Sequence, residues 1–178
     1  MARLLHLNGP PGVGKSTLAR RYTADHPGTL MCDVDMLRTM VGGWQRDEDA
    51  AGRIRTSALA MITAYLGTGH DVVLPQLVAR SDQLDRFRTA ANQATAEYAH
   101  LLVADPDVVI RRFRIRAGNQ GDEWTAYATE FWDAAGGDGA LRNWIARLEE
   151  VDPAAMRVPS TDPDETYAAL LVALSERS

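Results

Sequence analysis

The chain has 178 residues, 24 acidic and 19 basic side chains for a formal net charge of −5, and 46% hydrophobic residues. This is an ordinary globular composition with enough apolar material for one substantial core. The acidic balance opposes nucleic acid as a main partner, because phosphate backbones are held by basic surface, and it leaves a small phosphorylated ligand open.

No apolar run reaches the length of a membrane span and no signal-peptide pattern opens the chain, which predicts a cytoplasmic protein without membrane partners. Cys32 is the only cysteine, so no intrachain disulfide can form, and it reads as a small buried hydrophobe at a strand end. The four histidines are scattered without metal-ligand spacing, and no structural zinc is expected.

In chain order, Arg3–Leu7 reads as a buried strand and Ser16–Tyr22 as the opening of a helix. Between them lies Gly9-Pro10-Pro11-Gly12-Val13-Gly14-Lys15-Ser16, a full match to G-x-x-x-x-G-K-[ST]. The glycines let successive N–H groups turn inward on phosphate oxygens, helped by the positive end of the following helix. Lys15 then reaches the β- and γ-phosphates and the Ser16 hydroxyl ligates Mg²⁺. Lys15 is also the only lysine among 19 basic residues, a compact ammonium placed where a transferring phosphate would need it. The segment from Gly9 through Thr17 is therefore the candidate nucleotide site.

His26-Pro27-Gly28 marks a turn, Thr29–Cys32 a short strand and Asp35–Val41 a brief helix stopped by Gly42-Gly43. A longer helix is predicted over Glu48–Leu66, a buried strand over Asp71–Leu74, and an amphipathic helix to about Thr95 with Ser81 as its cap. Tyr98–Val103 reads as a strand, Asp105-Pro106 as a cap opening an Arg-rich helix to about Ala117, and Gly118–Glu123 as a polar glycine-rich segment. Helices are predicted over Trp124–Ala134 and Ala140–Glu150, separated by the run Gly136–Gly139. A last strand follows at Met156–Pro159, then a helix capped by Asp162. The alternation implies an α/β domain with a five-stranded parallel sheet and helices on both faces, spanning 1–178 without a linker or repeat.

The second chemical signal is Cys32-Asp33-Val34-Asp35-Met36-Leu37-Arg38, at the carboxyl end of a strand, the edge where open α/β sheets bind ligands. Taken alone the two acids could be a helix cap and a first-turn acid. Beside the phosphate loop, the segment makes the chain resemble the small P-loop kinases: shikimate and gluconate kinase-like enzymes, 5′-hydroxyl polynucleotide kinases and the chloramphenicol phosphotransferase group. That resemblance spans most of the chain and implies a three-layer P-loop NTPase fold with a small helical lid at about 112–135.

In shikimate kinases the first acid of Asp-x-Asp assists Mg²⁺ and the second addresses the acceptor hydroxyl, which maps onto Asp33 and Asp35. In polynucleotide kinases an Asp precedes by three residues an Arg that holds a substrate phosphate, the spacing of Asp35 and Arg38. Both comparisons select Asp35 as the group that orients the acceptor. At helical spacing Arg112 and Arg116 share a face. The resemblance makes Arg116 the lid arginine approaching the transferring phosphate and Arg112 a nucleotide contact, with adenine near Ser160-Thr161.

The strand end Pro75-Gln76 lacks the metal-coordinating acid found in motor-type ATPases, so Mg²⁺ falls to Ser16 and Asp33. The same strand end resembles that of tunicamycin-resistance proteins. Guanine-specific switch motifs need a second lysine, which favours adenine. Candidate acceptor contacts are Asp33, Asp35, Arg38, Trp44, Gln76 and Arg80, with Trp124 and Tyr127 from the lid side. The leading expectation is an ATP- and Mg²⁺-dependent phosphotransferase acting on a hydroxyl of an antibiotic, sugar or nucleoside-type compound. The alternatives are a 5′-hydroxyl polynucleotide kinase and a non-enzymatic nucleotide-binding switch.

Overall fold

A computed structural model describes residues 1–47, 49–103, 105–118, 123–153 and 155–176, with the side chains of residues 100–102 left aside. The strands β1 (Arg3–Asn8), β2 (Leu30–Met31), β3 (Val72–Leu74), β4 (Glu97–Val103) and β5 (Met156–Val158) form a sheet in the order β2-β3-β1-β4-β5. Every pairing between neighbours is parallel. Such pairings require crossovers. These are supplied by α1 (Lys15–Asp25), α2 (Val34–Thr39), α3 (Ala50–Leu66), α4 (Ser81–Gln93), α5 (Pro106–Gly118), α6 (Glu123–Ala134) and α7 (Gly137–Val151), and α8 (Pro163–Ser175) follows β5.

Side chains alternate across β1 as a two-residue period requires. Leu5 and Leu7 join Leu18, Tyr22, Leu170 and Leu174, which places α1 and α8 on one face. Leu4 joins Ile62, Leu66, Leu84 and Phe87, which places α3 and α4 on the other. The result is an α/β P-loop NTPase-like fold with helices covering both faces of a parallel sheet. A further cluster of Ile110, Phe113, Ala128, Trp132 and Leu141 binds α5, α6 and α7 to one another. No described helix is long and apolar enough to cross a membrane.

Local capping decides several boundaries. Asp33 caps α2, Asp162 caps α8, and Asp105 accepts from the Val108 amide at 3.1 Å at the start of α5. Ser81, expected as the cap of α4, is instead its first helical residue. The cap position is Arg80 in an extended conformation, whose guanidinium forks onto Asp82 in the first turn at 2.9 and 3.0 Å. The glycine run before α7 is also shorter as a break than expected. Gly136 and Gly137 take φ of +114° and +62°, complete the reversal, and leave Gly139 inside the helix. Glu48, the expected start of α3, and residues 119–122 of the expected glycine-rich segment lie outside the described residues.

The second half of the β1 pattern is polar and buried: His6 and Asn8 are both 0% exposed. Asn8 donates to the Val78 carbonyl at 2.7 Å and accepts from the Val78 amide at 2.8 Å. His6 Nε2 lies 2.9 Å from the Gln76 carbonyl, which can only accept, so Nε2 carries the proton and Nδ1 accepts from the Tyr98 hydroxyl at 3.1 Å. Two side chains of the central strand thus hold the 75–80 loop at the carboxyl edge of the sheet. Asn8→Leu would strip both polar groups of Val78 of their partner inside the core, and we expect a loss of about 2–4 kcal/mol in urea unfolding.

Candidate functional site

The loop between β1 and α1 is shaped by close approach and by left-handed backbone. A Cβ on Gly9 would stand 2.4 Å from the Val103 carbonyl oxygen of β4, so the loop can leave the sheet at that point only as glycine. Gly14, with φ of +99°, is the N-cap of α1 and turns the chain into the helix. No acid occupies the first turn of α1, and the positive helix end is left to an external anion.

Lys15 folds back over this loop and donates to the Pro10 carbonyl at 2.9 Å. Burial drives its ammonium down to about 8, Asp35 and Asp33 counter that, and Arg116 adds to it. Asp33 bridges the loop to α2. One carboxylate oxygen accepts from the Asp35 and Met36 amides at 3.1 and 3.2 Å, while the other accepts from the Ser16 hydroxyl at 3.1 Å. Asp35 is pushed up to about 6, chiefly by burial and then by Asp33, against the pull of Lys15, a Gln76 hydrogen bond and Arg38. Lys15 and Asp35 are densely surrounded yet keep some contact with solvent, because both line an open cleft of about 920 Å³.

The cleft collects Pro11, Gly12, Gly14, Lys15, Ser16 and Thr17 with Asp33, Asp35, Arg38, Gln76, Arg112 and Arg116. Beside the glycine loop, Arg112 donates to the Ser160 hydroxyl at 2.9 Å and to the Thr161 carbonyl, while Ser160 donates to the Val13 carbonyl at 2.9 Å. Arg116 projects from the same face of α5 and makes no hydrogen bond or ion pair among the described residues, unlike Arg114, which is held by Asp133 and Asp138. At the other end, Gln76 is 8% exposed and its side-chain oxygen finds no partner.

Two of the sequence-selected acceptor contacts stand outside the cleft lining. Arg80 is exposed and committed to Asp82. Trp44 is 2% exposed and packs on Trp124 and Tyr127 with ring centroids 5.7 and 5.0 Å away. A candidate acceptor contact by sequence, it instead packs around Arg38. The Arg38 guanidinium lies 4.9 Å from the Tyr127 ring, 5.2 Å from Trp44 and 5.8 Å from Trp124, and donates to the Tyr127 hydroxyl at 3.1 Å. This aromatic enclosure fastens α2 to α6.

Arg55 is a cleft residue with no motif to announce it in the sequence. It is half-buried on α3 with no hydrogen bond or ion pair among the described residues. Burial and the neighbouring Arg86, Arg80 and Arg38 depress its guanidinium, while Asp35 favours its charge. The available signal was its place on the core face of α3, three and seven residues before the buried Ala58 and Ile62. Phe131, Trp132 and Met36 also line the cleft and were not singled out.

The donor chemistry suits Mg²⁺. Ser16 and Asp33 present hard oxygens side by side, and no group of three or more His, Cys, Asp or Glu among the described residues could build a protein cage. Mg²⁺ commonly takes one or two protein oxygens and fills its remaining positions with phosphate and water.

A family model described as AAA domain matches residues 4–134. No curated protein matches the sequence. Among solved structures, the fold resembles a chain of the Pnkp1/Rnl/Hen1 RNA repair complex at 20% identity and TM-score 0.64, covering 85% of this chain and 45% of that one. This chain thus spans less than half the length of that relative. It also resembles the Deinococcus radiodurans tunicamycin resistance protein, at 16% identity and TM-score 0.62 over 99% of this chain and 96% of that one. A gluconokinase from Sinorhizobium meliloti 1021 aligns at 17% identity and TM-score 0.57 over 98% of this chain and 94% of that one. At such identities the likeness carries the fold.

Asp35 should cost stability when ionised. Its native value of about 6 exceeds the ordinary 3.8, so between these pH values the folded state retains a proton that the unfolded chain has released. Asp35→Asn is therefore expected to raise the melting temperature at pH 7.5, with the gain vanishing toward pH 3 in parallel thermal scans.

Proposed function

The chain belongs to the AAA-domain family, and from that footing we propose that it is an ATP-dependent phosphotransferase, a kinase moving the γ-phosphate of ATP to a hydroxyl of a small molecule. The observation that carries this reading is the placement of Asp35 in one cleft with the phosphate loop, close enough to Lys15 for each to shift the other's titration. We take the 178 residues as a single kinase domain with residues 112–135 as its lid.

In this reading the amides of the Gly9–Gly14 loop and the Lys15 ammonium hold the phosphates, and Thr17 lies beside them. The base of adenine rests near Arg112 and Ser160-Thr161. Ser16 and Asp33 hold Mg²⁺, which when bound neutralises charge on the β- and γ-phosphate oxygens. Asp35 accepts a hydrogen bond from the acceptor hydroxyl and aligns it. The acceptor oxygen bonds to the γ-phosphorus, the bond to the β,γ-bridging oxygen breaks, ADP departs with that electron pair, and the acceptor proton passes to Asp35. Arg116 supplies positive charge to the transferring group, and Gln76 fixes the Asp35 carboxylate through the hydrogen bond between them.

Transfer from γ-labelled ATP to a panel of sugars, nucleosides, antibiotics and 5′-hydroxyl oligonucleotides tests the reading, and the labelled product identifies the acceptor. Lys15→Ala is expected to abolish transfer. Asp35→Asn should retain ATP affinity and lose about 10²- to 10⁴-fold in kcat, and full turnover in that variant would remove Asp35 from the reaction. Arg116→Ala should lower kcat by about 10³-fold or more with ATP affinity little changed.

The pH profile follows from the two shifted groups. Asp35 must be ionised and Lys15 protonated, so kcat/KM for ATP should rise through about 6 and fall above about 8. Bound triphosphate favours the ammonium, so the alkaline limb should move upward in the kcat profile at saturating ATP.

A further inference from the structure

The acceptor half of the cleft has a chemical character of its own. On α6, Trp124, Ala128 and Phe131 fall at i, i+4 and i+7 and line the cleft together. Leu77 from the loop after β3 and Met36 from α2 line it as well. Phe131 is 51% exposed and Met36 50%, so two large apolar side chains stand half out in a concave site that also holds Asp35. Apolar surface left bare within a cleft marks what the ligand is to cover.

Charge points the same way. A phosphate chain is held by several free cations. Arg38, which by spacing could grip a phosphate, has its guanidinium ringed by Trp44, Trp124 and Tyr127 and donates to the Tyr127 hydroxyl. Arg80 is committed to Asp82 outside the cleft. Arg55 lines the cleft near Asp35, its guanidinium depressed by burial and by the neighbouring Arg86, Arg80 and Arg38.

We infer that the acceptor is a hydroxyl compound with a flat apolar or aromatic body, laid on α6 between Phe131 and Met36, and that it carries no phosphate chain. This rests on the phosphotransferase reading for the role of the bound molecule, while its recognition is readable by binding alone. The hydroxyl end lies toward Asp35, and the apolar body displaces water from the α6 wall. The phosphate-gripping role implied by the spacing of Asp35 and Arg38 gives way to a structural one, in which Arg38 holds that wall against α2.

Calorimetry in the presence of MgADP tests this with three probes: 2-naphthylethanol, glucose and thymidine 3′-phosphate. The naphthyl alcohol is expected to bind at least tenfold more tightly than either of the others. Phe131→Ala should weaken it by about fivefold and Phe131→Asp by more, with Met36→Asp as an independent change on α2. ADP titration of each variant checks that the fold persists. Equal or tighter binding of glucose or thymidine 3′-phosphate overturns the inference, as does naphthylethanol affinity unchanged in both Asp variants. If naphthylethanol binds as expected and no acceptor is phosphorylated, the recognition stands and the phosphotransferase reading falls.

Discussion

The Asp33 carboxylate is the joint on which the site is assembled. With one oxygen it takes two main-chain amides and so sets the start and direction of α2. With the other it takes the Ser16 hydroxyl and so ties that helix to the phosphate loop. Because α2 has only six residues, its orientation depends on this cap together with the Arg38 enclosure that fastens it to α6. Asp35 stands in the first turn of a helix whose first amides are pinned to the element that would carry the nucleotide. An acid on an unpinned loop would lose the alignment that in-line transfer demands.

A second constraint is electrostatic. Lys15 and Asp35 are each displaced from their ordinary titration range by burial, in opposite directions, and each partly restores the other. The pair resists protonation changes near neutrality less than exposed groups would, which is the condition in which a group can exchange roles as a ligand arrives. The surrounding polar fastenings are built from the sheet itself: His6 and Asn8 occupy positions that the strand pattern would give to leucine, and they hold the loop that brings Gln76 to Asp35. Core volume has been exchanged for a fixed loop at the working edge of the sheet.

Much of this was legible in the chain. The phosphate loop, the buried strands and the helix caps at Asp105 and Asp162 follow from local rules, because a glycine pattern, an apolar run or an Asp-Pro pair acts within a few residues. Placing Asp33 and Asp35 beside Lys15 needed only the expectation that a parallel sheet gathers its carboxyl ends. What the sequence concealed depends on contacts between distant elements. Trp44 reads as an aromatic at a loop start until Arg38, Trp124 and Tyr127 are seen to close around one another. Arg55 shows in the sequence only its place on one face of α3, and what that face meets depends on how the helix docks. Ser81 and the glycines before α7 show the converse, where a sound local signal placed the boundary a few residues from where the helix begins.

The hydrogen bond from Ser160 to the Val13 carbonyl joins residues 147 positions apart. It also carries Arg112 on the same hydroxyl. The phosphate loop therefore gains this brace only after the edge strand β5 has docked beside β4. Contacts of such long range are the slow ones to form during folding. The order of synthesis thus builds in an interval during which the loop exists without its support, and a chain shortened before residue 160 would keep the glycine motif while lacking the strut that holds its back.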